Sequence, residues 1–136
     1  MLRCTGARVA EILIIDDHPN DRYIMAEALI GVGHRVREAK DGAEGLALCR
    51  KHLPALVVTD IVMAGKDGIE TIRELRQIAP NIPILAVSGT EHAAVYLNAV
   101  TLLGANAVLA KPFSFDALVR AVTSLLDYSQ REPLES

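Results

Sequence analysis

The sequence predicts an α/β fold in which a five-stranded parallel sheet is doubly wound with helices, in a (βα)5 arrangement. Short apolar runs alternate with amphipathic helical patterns along the chain. Most of these runs are apolar throughout, as in strands buried on both faces of a parallel sheet. Five repeats are too few for a closed eight-stranded barrel, and right-handed crossovers place helices on both faces of an open sheet.

The five predicted strands are short, and four of them consist largely of β-branched or small apolar residues. In chain order they are Ile12–Ile15, His34–Ala39, Leu56–Val58, Ile84–Val87 and Ala107–Ala110. The second strand differs because it carries charges at Arg35, Arg37 and Glu38. Charged side chains favour a position at the edge of a sheet. The fifth strand is expected to be buried.

Helical patterns fill the gaps between strands, and most begin at a residue that can cap a helix N-terminus. The first helix is predicted to start at Asn20 or Asp21 and to end at Gly31 and Gly33, since glycine tolerates the left-handed conformation at a helix end. The caps of the other four helices, in chain order, are Asp41, Asp67, Thr90 and Ser114. Both aspartates are followed three residues later by a glutamate, close to a capping box.

Length and composition fit one cytoplasmic domain and exclude several classes of protein. The chain has 136 residues, of which 51% are apolar and 23% charged, so it is not disordered. Its net charge of −3 gives no basic field for nucleic acid or anionic lipid. No apolar run is long enough for a membrane span or signal peptide. Cys4 and Cys49 form no CxxC pair, which fits a reducing compartment.

Polar side chains occupy the carboxyl ends of four predicted strands. Asp16 and Asp17 follow the first strand and Asp60 follows the third, while Ser88 and Lys111 end the fourth and fifth. Ligands of doubly wound sheets bind at this edge, so these groups are expected to converge. Three carboxylates repel one another unless a cation balances them, and Mg²⁺ prefers oxygen ligands. The pattern predicts a magnesium-dependent phosphoryl site with a carboxylate nucleophile.

The same residues stand in motifs that resemble the receiver domain of two-component response regulators. The motifs, in chain order, are Ile14-Ile15-Asp16-Asp17-His18-Pro19, Val57-Val58-Thr59-Asp60-Ile61-Val62-Met63, Lys66-Asp67-Gly68, Val87-Ser88-Gly89 and Ala110-Lys111-Pro112-Phe113. No single motif is diagnostic, but all of them in this order are highly specific. The resemblance implies a receiver domain at 9–128 with flavodoxin-like strand order 2-1-3-4-5, between an N-terminal extension (1–8) and a polar tail (129–136).

The resemblance also implies a role for each residue of the site. Asp60 accepts a phosphoryl group from a phosphohistidine on a sensor histidine kinase or a histidine phosphotransfer protein. Asp17 and Asp60 bind Mg²⁺ directly, together with the backbone carbonyl of Val62, whereas Asp16 acts through a bound water. Lys111 contacts the phosphoryl oxygens.

Further implications concern the switch itself. Ser88 moves toward the phosphoryl group, Gly89 leaves space for that group, and a cis Lys111–Pro112 bond directs the lysine. Phosphorylation adds about −1.5 to −2 charge, so a two-state loop changes the outer face of the fourth helix, fifth strand and fifth helix. The resemblance thus implies a signalling switch with slow autodephosphorylation and no turnover activity, acting without direct contact to nucleic acid or membrane.

Two positions depart from the family pattern. Ala64 stands where the family usually has proline, so this loop is less restricted in φ. Val108 stands three residues before the lysine, where the family usually has tyrosine or phenylalanine. Valine is short and stiff, and cannot make the same swing between buried and exposed positions. Tyr96 is a candidate substitute, although a packing role is also open.

The stretch from Ala93 to Ala110 contains no charged residue. A helix on one face of a sheet normally carries charge on its outer side. Two interpretations stay open: an alanine-rich helix that is poorly solvated, or an apolar docking patch for a second copy of the chain or a target protein. Under the second, an outward charge such as Asn98→Lys weakens association and leaves phosphorylation intact.

Other functions remain open on sequence alone. A magnesium-dependent phosphohydrolase with an aspartyl nucleophile is the main alternative, although such enzymes usually carry Asp-x-Asp after the first strand rather than adjacent aspartates. A nucleotide-binding module would need a loop rich in glycine, serine or threonine there. A degenerate pseudo-receiver conflicts with the retained acceptor and lysine. His18, beside the acidic pair, either tunes the site or is a solvated loop residue.

Overall fold

The computed structural model describes residues 9–63, 68–89 and 103–131 of the chain. Its five strands form a single parallel sheet in the order β2-β1-β3-β4-β5. The strands are β1 (Glu11–Ile15), β2 (Arg35–Ala39), β3 (Leu56–Asp60), β4 (Ile84–Gly89) and β5 (Ala107–Lys111). This topology confirms the doubly wound α/β fold and the strand order 2-1-3-4-5.

Four helices are described along with the sheet. They are α1 (Pro19–Gly31), α2 (Gly42–Lys51), α3 (Gly68–Ile78) and the C-terminal helix (Phe115–Arg131). Within the described ranges, no helix combines the length and the apolar character needed to cross a bilayer. Several predictions fall outside the described residues: the extension 1–8, Ala64, Asp67, and the fourth helix with Thr90, Tyr96 and Asn98.

Two apolar cores lie on opposite faces of the sheet, as side-chain alternation along strands requires. On one face, Leu13 and Ile15 of β1 pack in a cluster with Leu46 of α2 and with Leu75 of α3. On the other face, Ile14 belongs to a cluster with residues of α1 and the C-terminal helix. Both faces of β1 are therefore covered, which explains why this strand is apolar at every central position.

The helix caps agree with the sequence at two of the described helices and differ at α1. The Asp41 carboxylate accepts a hydrogen bond from the Glu44 backbone N–H at 2.8 Å, and the Ser114 hydroxyl accepts one from the Ala117 N–H at 3.0 Å. Helix α1 instead begins at Pro19, ahead of the predicted Asn20 or Asp21, without a side-chain cap. The fixed φ of proline is already suited to the first helical position.

One edge of the sheet agrees with the sequence prediction, whereas the other edge and the extent of the C-terminal helix differ from it. β2 is an exposed edge strand, as its charges predict. β5, expected to be buried, is only half-buried because the strand order puts it at the opposite edge. The C-terminal helix continues to Arg131, beyond the predicted start of the tail at 129. No helix-breaking residue precedes Pro133, so the helical pattern has no reason to stop at 129.

Candidate functional site

Three strands, β3, β4 and β5, extend into the polar residues at their carboxyl ends, whereas β1 ends at Ile15, directly before Asp16 and Asp17. β3 includes Asp60, which pairs in register with Val87 of β4. β4 continues through Ser88, and β5 includes Lys111, which pairs with Gly89. Backbone pairing on a rigid sheet thus sets the relative positions of these residues. Precise sites are generally better held on such elements than on loops.

The predicted carboxylates come together at this edge of the sheet. Asp16, Asp17, His18 and Asp60 each offer a ligand atom, and these atoms lie within 4.8 Å of one another. Asp16 is 0% exposed and Asp60 4% exposed, whereas Asp17 is half-buried. The site is therefore a negatively charged group of oxygens with limited access to water.

Lys111 supplies a positive charge to this group. Its Nζ lies 3.0 Å from Asp16 Oδ2 and 3.3 Å from Asp60 Oδ2. A third carboxylate, Asp21 in the first turn of α1, lies 2.9 Å from the same Nζ. On sequence alone, Asp21 is only a candidate start of the first helix. Its place four residues after Asp17, in the first turn of the following helix, is the signal that could have marked it.

Burial and neighbouring charges act on the protonation of this cluster. Burial raises the pKa of Asp60, and the negative charge of Asp16 adds to that effect, while Lys111 opposes it. Burial disfavours the charged form of Lys111, but the hydrogen bond to Asp21 and the charges of Asp16 and Asp60 outweigh it. The pKa of Lys111 therefore lies above its ordinary value, and the lysine is an ammonium at neutral pH.

Asp16 is held from several directions. Its Oδ1 accepts a hydrogen bond from the His18 backbone N–H at 2.9 Å, while Oδ2 faces Lys111. Arg22 Nη1 donates to the Asp16 backbone carbonyl at 2.7 Å, and Arg22 Nε donates to Glu38 on β2 at 3.0 Å. Arg22, which the sequence analysis did not single out, thus ties α1 to the ends of β1 and β2.

The remaining predicted site residues are also near this edge. The Val62 backbone N–H donates to Asp60 Oδ1 at 3.3 Å, so the chain turns directly after Asp60. Ser88 is fully buried, and its hydroxyl donates to the Gly89 carbonyl at 3.3 Å. The Lys111–Pro112 bond is cis, as expected. Val108 is partly buried against the core that α2 and α3 cover.

The position of His18 agrees in part with each of its two interpretations, as a solvated loop residue and as a neighbour of the acidic pair. Its side chain is 65% exposed, as a solvated loop residue would be. Its Nδ1 nevertheless lies 3.1 Å from Asp17 Oδ1 and 3.5 Å from Asp16 Oδ1. The imidazole therefore stands at the solvent side of the acidic pair.

A cleft of about 470 Å³ opens beside the cluster, between the start of α1 and the segment that follows β5. It is lined by Asp21, Ile24, Met25, Gly89, Lys111, Pro112 and Phe113. Most of this lining is apolar, and Asp21 and Lys111 place the charged groups at one side. The cleft gives solvent and solutes a route to the lysine.

The donor set fits a hard divalent cation. The carboxylate oxygens of Asp16, Asp17 and Asp60 are close enough to share one ion, and a single ammonium leaves their charge only partly balanced. Hard dications such as Mg²⁺ are bound by a few carboxylates and keep several waters. The residues present therefore suit magnesium better than a soft metal, which would favour thiolates or several imidazoles.

The molecule is thus a doubly wound α/β domain whose acidic pocket and lysine lie at the edge of the sheet where such folds bind their ligands. The family described as response regulator receiver domain matches residues 12–123. The chain belongs to this family, whose members are signalling domains rather than turnover enzymes.

Individual relatives agree with this assignment. Protein PilH of Pseudomonas aeruginosa is 32% identical over 120 residues, covering 87% of this chain and 98% of PilH. The transcriptional regulatory protein ZraR of Salmonella typhimurium is 35% identical over 128 residues, covering 92% of this chain but 28% of ZraR. The solved receiver domain of NtrX from Brucella abortus superposes with a TM-score of 0.82 at 30% identity, covering 85% of this chain and 98% of that domain.

Proposed function

We propose that this receiver domain accepts a phosphoryl group on Asp60 from a phosphohistidine of a sensor histidine kinase or a phosphotransfer protein, in the presence of Mg²⁺. The observation that carries the proposal is the contact of 3.3 Å between Asp60 Oδ2 and Lys111 Nζ, inside a cluster of carboxylates. A buried carboxylate beside an ammonium and further oxygen ligands is arranged for cation-assisted phosphoryl transfer, which is largely positioning and charge neutralisation.

The metal site consists of Asp17 and Asp60 with the backbone carbonyl of Val62. When bound, Mg²⁺ would supply positive charge that offsets the negative charge of the carboxylates and of the transferred phosphoryl group. Asp16 acts through a water rather than as a direct ligand. Support for this division comes from Asp16, whose two carboxylate oxygens already face the His18 N–H and the Lys111 ammonium.

The chemistry of the acceptor follows from its surroundings. Burial raises the pKa of Asp60 although the charge of Lys111 opposes this, so further positive charge at the carboxylate favours the ionised nucleophile. Lys111 supplies part of that charge and contacts the transferred phosphoryl oxygens. Ser88 is one residue beyond the register partner of Asp60 on the neighbouring strand, and this position supports a role in carrying the change at Asp60 to the segment that follows β4.

The output is a change in the face formed by the fourth helix, β5 and the C-terminal helix, to which a target protein or a second copy binds. β5 supports this choice because it is a half-exposed edge strand. Val108 is too short to swing between buried and exposed positions as an aromatic side chain does. The switch therefore depends on Ser88 and on the backbone of the loop that follows β4. The domain works in the cytoplasm and binds no nucleic acid directly. Its own chemistry is limited to self-catalysed acceptance of the phosphoryl group and slow autodephosphorylation.

The test is phosphorylation of the full chain by acetyl phosphate with Mg²⁺, followed by intact mass spectrometry. Wild type gains one phosphoryl group, Asp60→Ala gains none, and chelation of Mg²⁺ by EDTA suppresses labelling of wild type. Asp116→Ala is the matched control, because this aspartate is 74% exposed on the C-terminal helix and pairs with Arg120. Equal labelling of wild type and Asp60→Ala would disprove the acceptor assignment.

A further inference from the structure

The Asp21 carboxylate belongs to the lysine cluster, yet none of the roles above uses it. Its Oδ2 is 2.9 Å from Lys111 Nζ, compared with 3.0 Å for Asp16 and 3.3 Å for Asp60. The Asp21 side chain is 44% exposed and lines the cleft, whereas Asp16 and Asp60 are buried. Asp21 therefore contacts the lysine from the side of the cleft.

The ammonium is fully engaged in this arrangement. Lysine has three N–H donors, and three carboxylates contact Nζ. A phosphoryl group on Asp60 needs at least one of these donors. Because Asp21 and Asp60 contact the same nitrogen, their oxygens lie well within the Debye length of about 8 Å at physiological ionic strength. The charge of Asp21 is thus felt at the acceptor.

We infer that Asp21 is a positioning residue that holds the Lys111 ammonium in the unphosphorylated protein and slows phosphoryl acceptance from small anionic donors. It acts by competing with the phosphoryl oxygens for Lys111 and by placing a negative charge in the donor's path. This inference rests on the proposed function, since it concerns the rate of the same transfer.

The reaction with acetyl phosphate makes the competition explicit. The bond between phosphorus and the bridging oxygen breaks, and its electron pair leaves with acetate. A bond forms between phosphorus and one Asp60 carboxylate oxygen, and no proton needs to move. The dianionic phosphoryl group passes close to Lys111, so a carboxylate that already holds this ammonium reduces the stabilisation available to the transition state.

The test compares initial labelling rates of the full chain at low acetyl phosphate, with Mg²⁺ and low salt. Asp21→Asn removes the charge and keeps the side-chain shape with one acceptor oxygen. The expected result is a rate about three- to tenfold above wild type, from a like charge removed at this separation. The ratio falls toward one at about 1 M salt, where the Debye length is about 3 Å. A merely structural role for Asp21 would not produce this salt dependence.

Two variants control the experiment. Asp21→Glu keeps the charge and is expected to label at a rate close to wild type. Glu27→Gln makes the same change of net charge on an exposed position of α1 and is expected to leave the rate unchanged. Should Asp21→Asn fail to fold by circular dichroism, Asp21→Ser removes the same charge from this partly exposed position and carries the same expectation.

The outcomes separate the inference from the function on which it rests. If wild type is labelled on Asp60 but Asp21→Asn labels no faster at low salt, the positioning role of Asp21 is wrong and the proposed function stands. A faster rate that persists unchanged at high salt, or that Glu27→Gln reproduces, also overturns it. If wild type is not labelled at all, the proposed function fails first.

Discussion

At the residue scale, His34 shows how one buried side chain links stability to pH. It is 7% exposed, and its Nδ1 accepts a hydrogen bond from the Ala10 backbone N–H at 3.1 Å, which requires the neutral imidazole. Burial lowers the pKa of His34 from 6.5. The unfolded chain therefore binds a proton at this residue more readily than the folded one, and folding stability falls as pH drops below about 6.5.

We expect His34→Gln to reduce the loss of folding stability at acidic pH, because glutamine can still accept a hydrogen bond but does not titrate. Urea unfolding at a series of pH values between 7 and 5 measures the effect. His52→Gln removes an exposed histidine and should lose stability at acidic pH as wild type does. A variant at residue 34 that loses stability as steeply as wild type would contradict the assignment.

Gly68 and Gly31 differ in the space available for a Cβ atom, and alanine variants at the two positions test this difference. Gly68 begins α3 and donates its N–H to the Ile61 carbonyl at 2.8 Å; a Cβ there would overlap the Asp60 carbonyl and the Ile61 backbone. Gly31, the last residue of α1, has nothing within 4 Å of a Cβ position. We expect Gly68→Ala to lower the free energy of unfolding by about 1–3 kcal/mol.

Gly31→Ala should instead raise the free energy of unfolding by about 0.5–1 kcal/mol, because the unfolded chain loses backbone freedom. Chemical denaturation of both variants, with the m-value checked for each, gives the comparison. Equal stability of the two would show that the close approach of α3 to the end of β3 is not tight.

At the scale of elements, Arg76 of α3 holds the segment that leads into β5. Its Nε and Nη2 donate to the Gly104 carbonyl at 3.0 and 2.7 Å, and Nη1 donates to the Ile82 carbonyl at 2.6 Å. Nη2 also donates to the Asn106 side-chain oxygen at 2.7 Å, which accepts a second hydrogen bond from the Ile84 N–H. One guanidinium therefore connects α3, the start of β4 and the turn before β5.

Replacing Arg76 tests how much these hydrogen bonds contribute to the free energy of unfolding. Arg76→Lys should lower the free energy of unfolding by about 2–3 kcal/mol, because an ammonium cannot reproduce the planar fork and leaves part-buried carbonyls unsatisfied. Arg73→Lys, on an exposed position of the same helix, should stay within about 0.5 kcal/mol of wild type. Urea denaturation distinguishes these expectations, and a loss of similar size in both variants would contradict the role of Arg76.

The elements also show which features could be predicted from sequence. β1 and β3 were recognised because strands covered on both faces must be apolar at successive positions, and Asp41 and Ser114 because capping depends on neighbours in the chain. The half-buried state of β5 was missed, although the strand order that the resemblance implies puts β5 at an edge, since the pattern of Ala107–Ala110 is the same in a central or an edge strand. Strand order decides its burial, and the composition of one segment does not reveal that order.

The residues of the site could also be predicted in part. Asp16, Asp17, Asp60 and Lys111 were found because parallel strands bring their carboxyl ends to one edge. The contact between Lys111 and Asp21 was missed, because Asp21 lies in the first turn of α1 and not at the carboxyl end of a strand. Such a contact depends on the direction in which α1 leaves the sheet, which the sequence pattern does not specify.

At the scale of the whole molecule, the acidic edge should make stability depend on divalent cations. Folding brings the carboxylates of Asp16, Asp17 and Asp60 together, so an ion that binds them binds the folded state only. Such a ligand stabilises by about 2.7 kcal/mol at a hundredfold excess over its Kd. We expect Mg²⁺ to raise the Tm of wild type, and EDTA to reverse the rise.

Asp17→Asn should show little of the rise in Tm that Mg²⁺ causes in wild type, because the substitution removes a charged ligand from the cluster. Asp116→Asn, on the exposed face of the C-terminal helix, should retain it. Differential scanning calorimetry of the three proteins with and without Mg²⁺ makes the comparison. An unchanged Tm of wild type on addition of Mg²⁺, or an equal rise in Asp17→Asn, would count against the assigned ligands.

The most direct test of the central claim is to locate the phosphoryl group among the clustered aspartates. An acyl phosphate on aspartate is reduced by borohydride to homoserine, which peptide mass spectrometry identifies by position. After treatment of the full chain with acetyl phosphate and Mg²⁺, we predict homoserine at position 60 and at no other aspartate. Homoserine at position 16, 17 or 21 instead, or its absence from every peptide, would contradict the assignment of Asp60 as the phosphoryl acceptor.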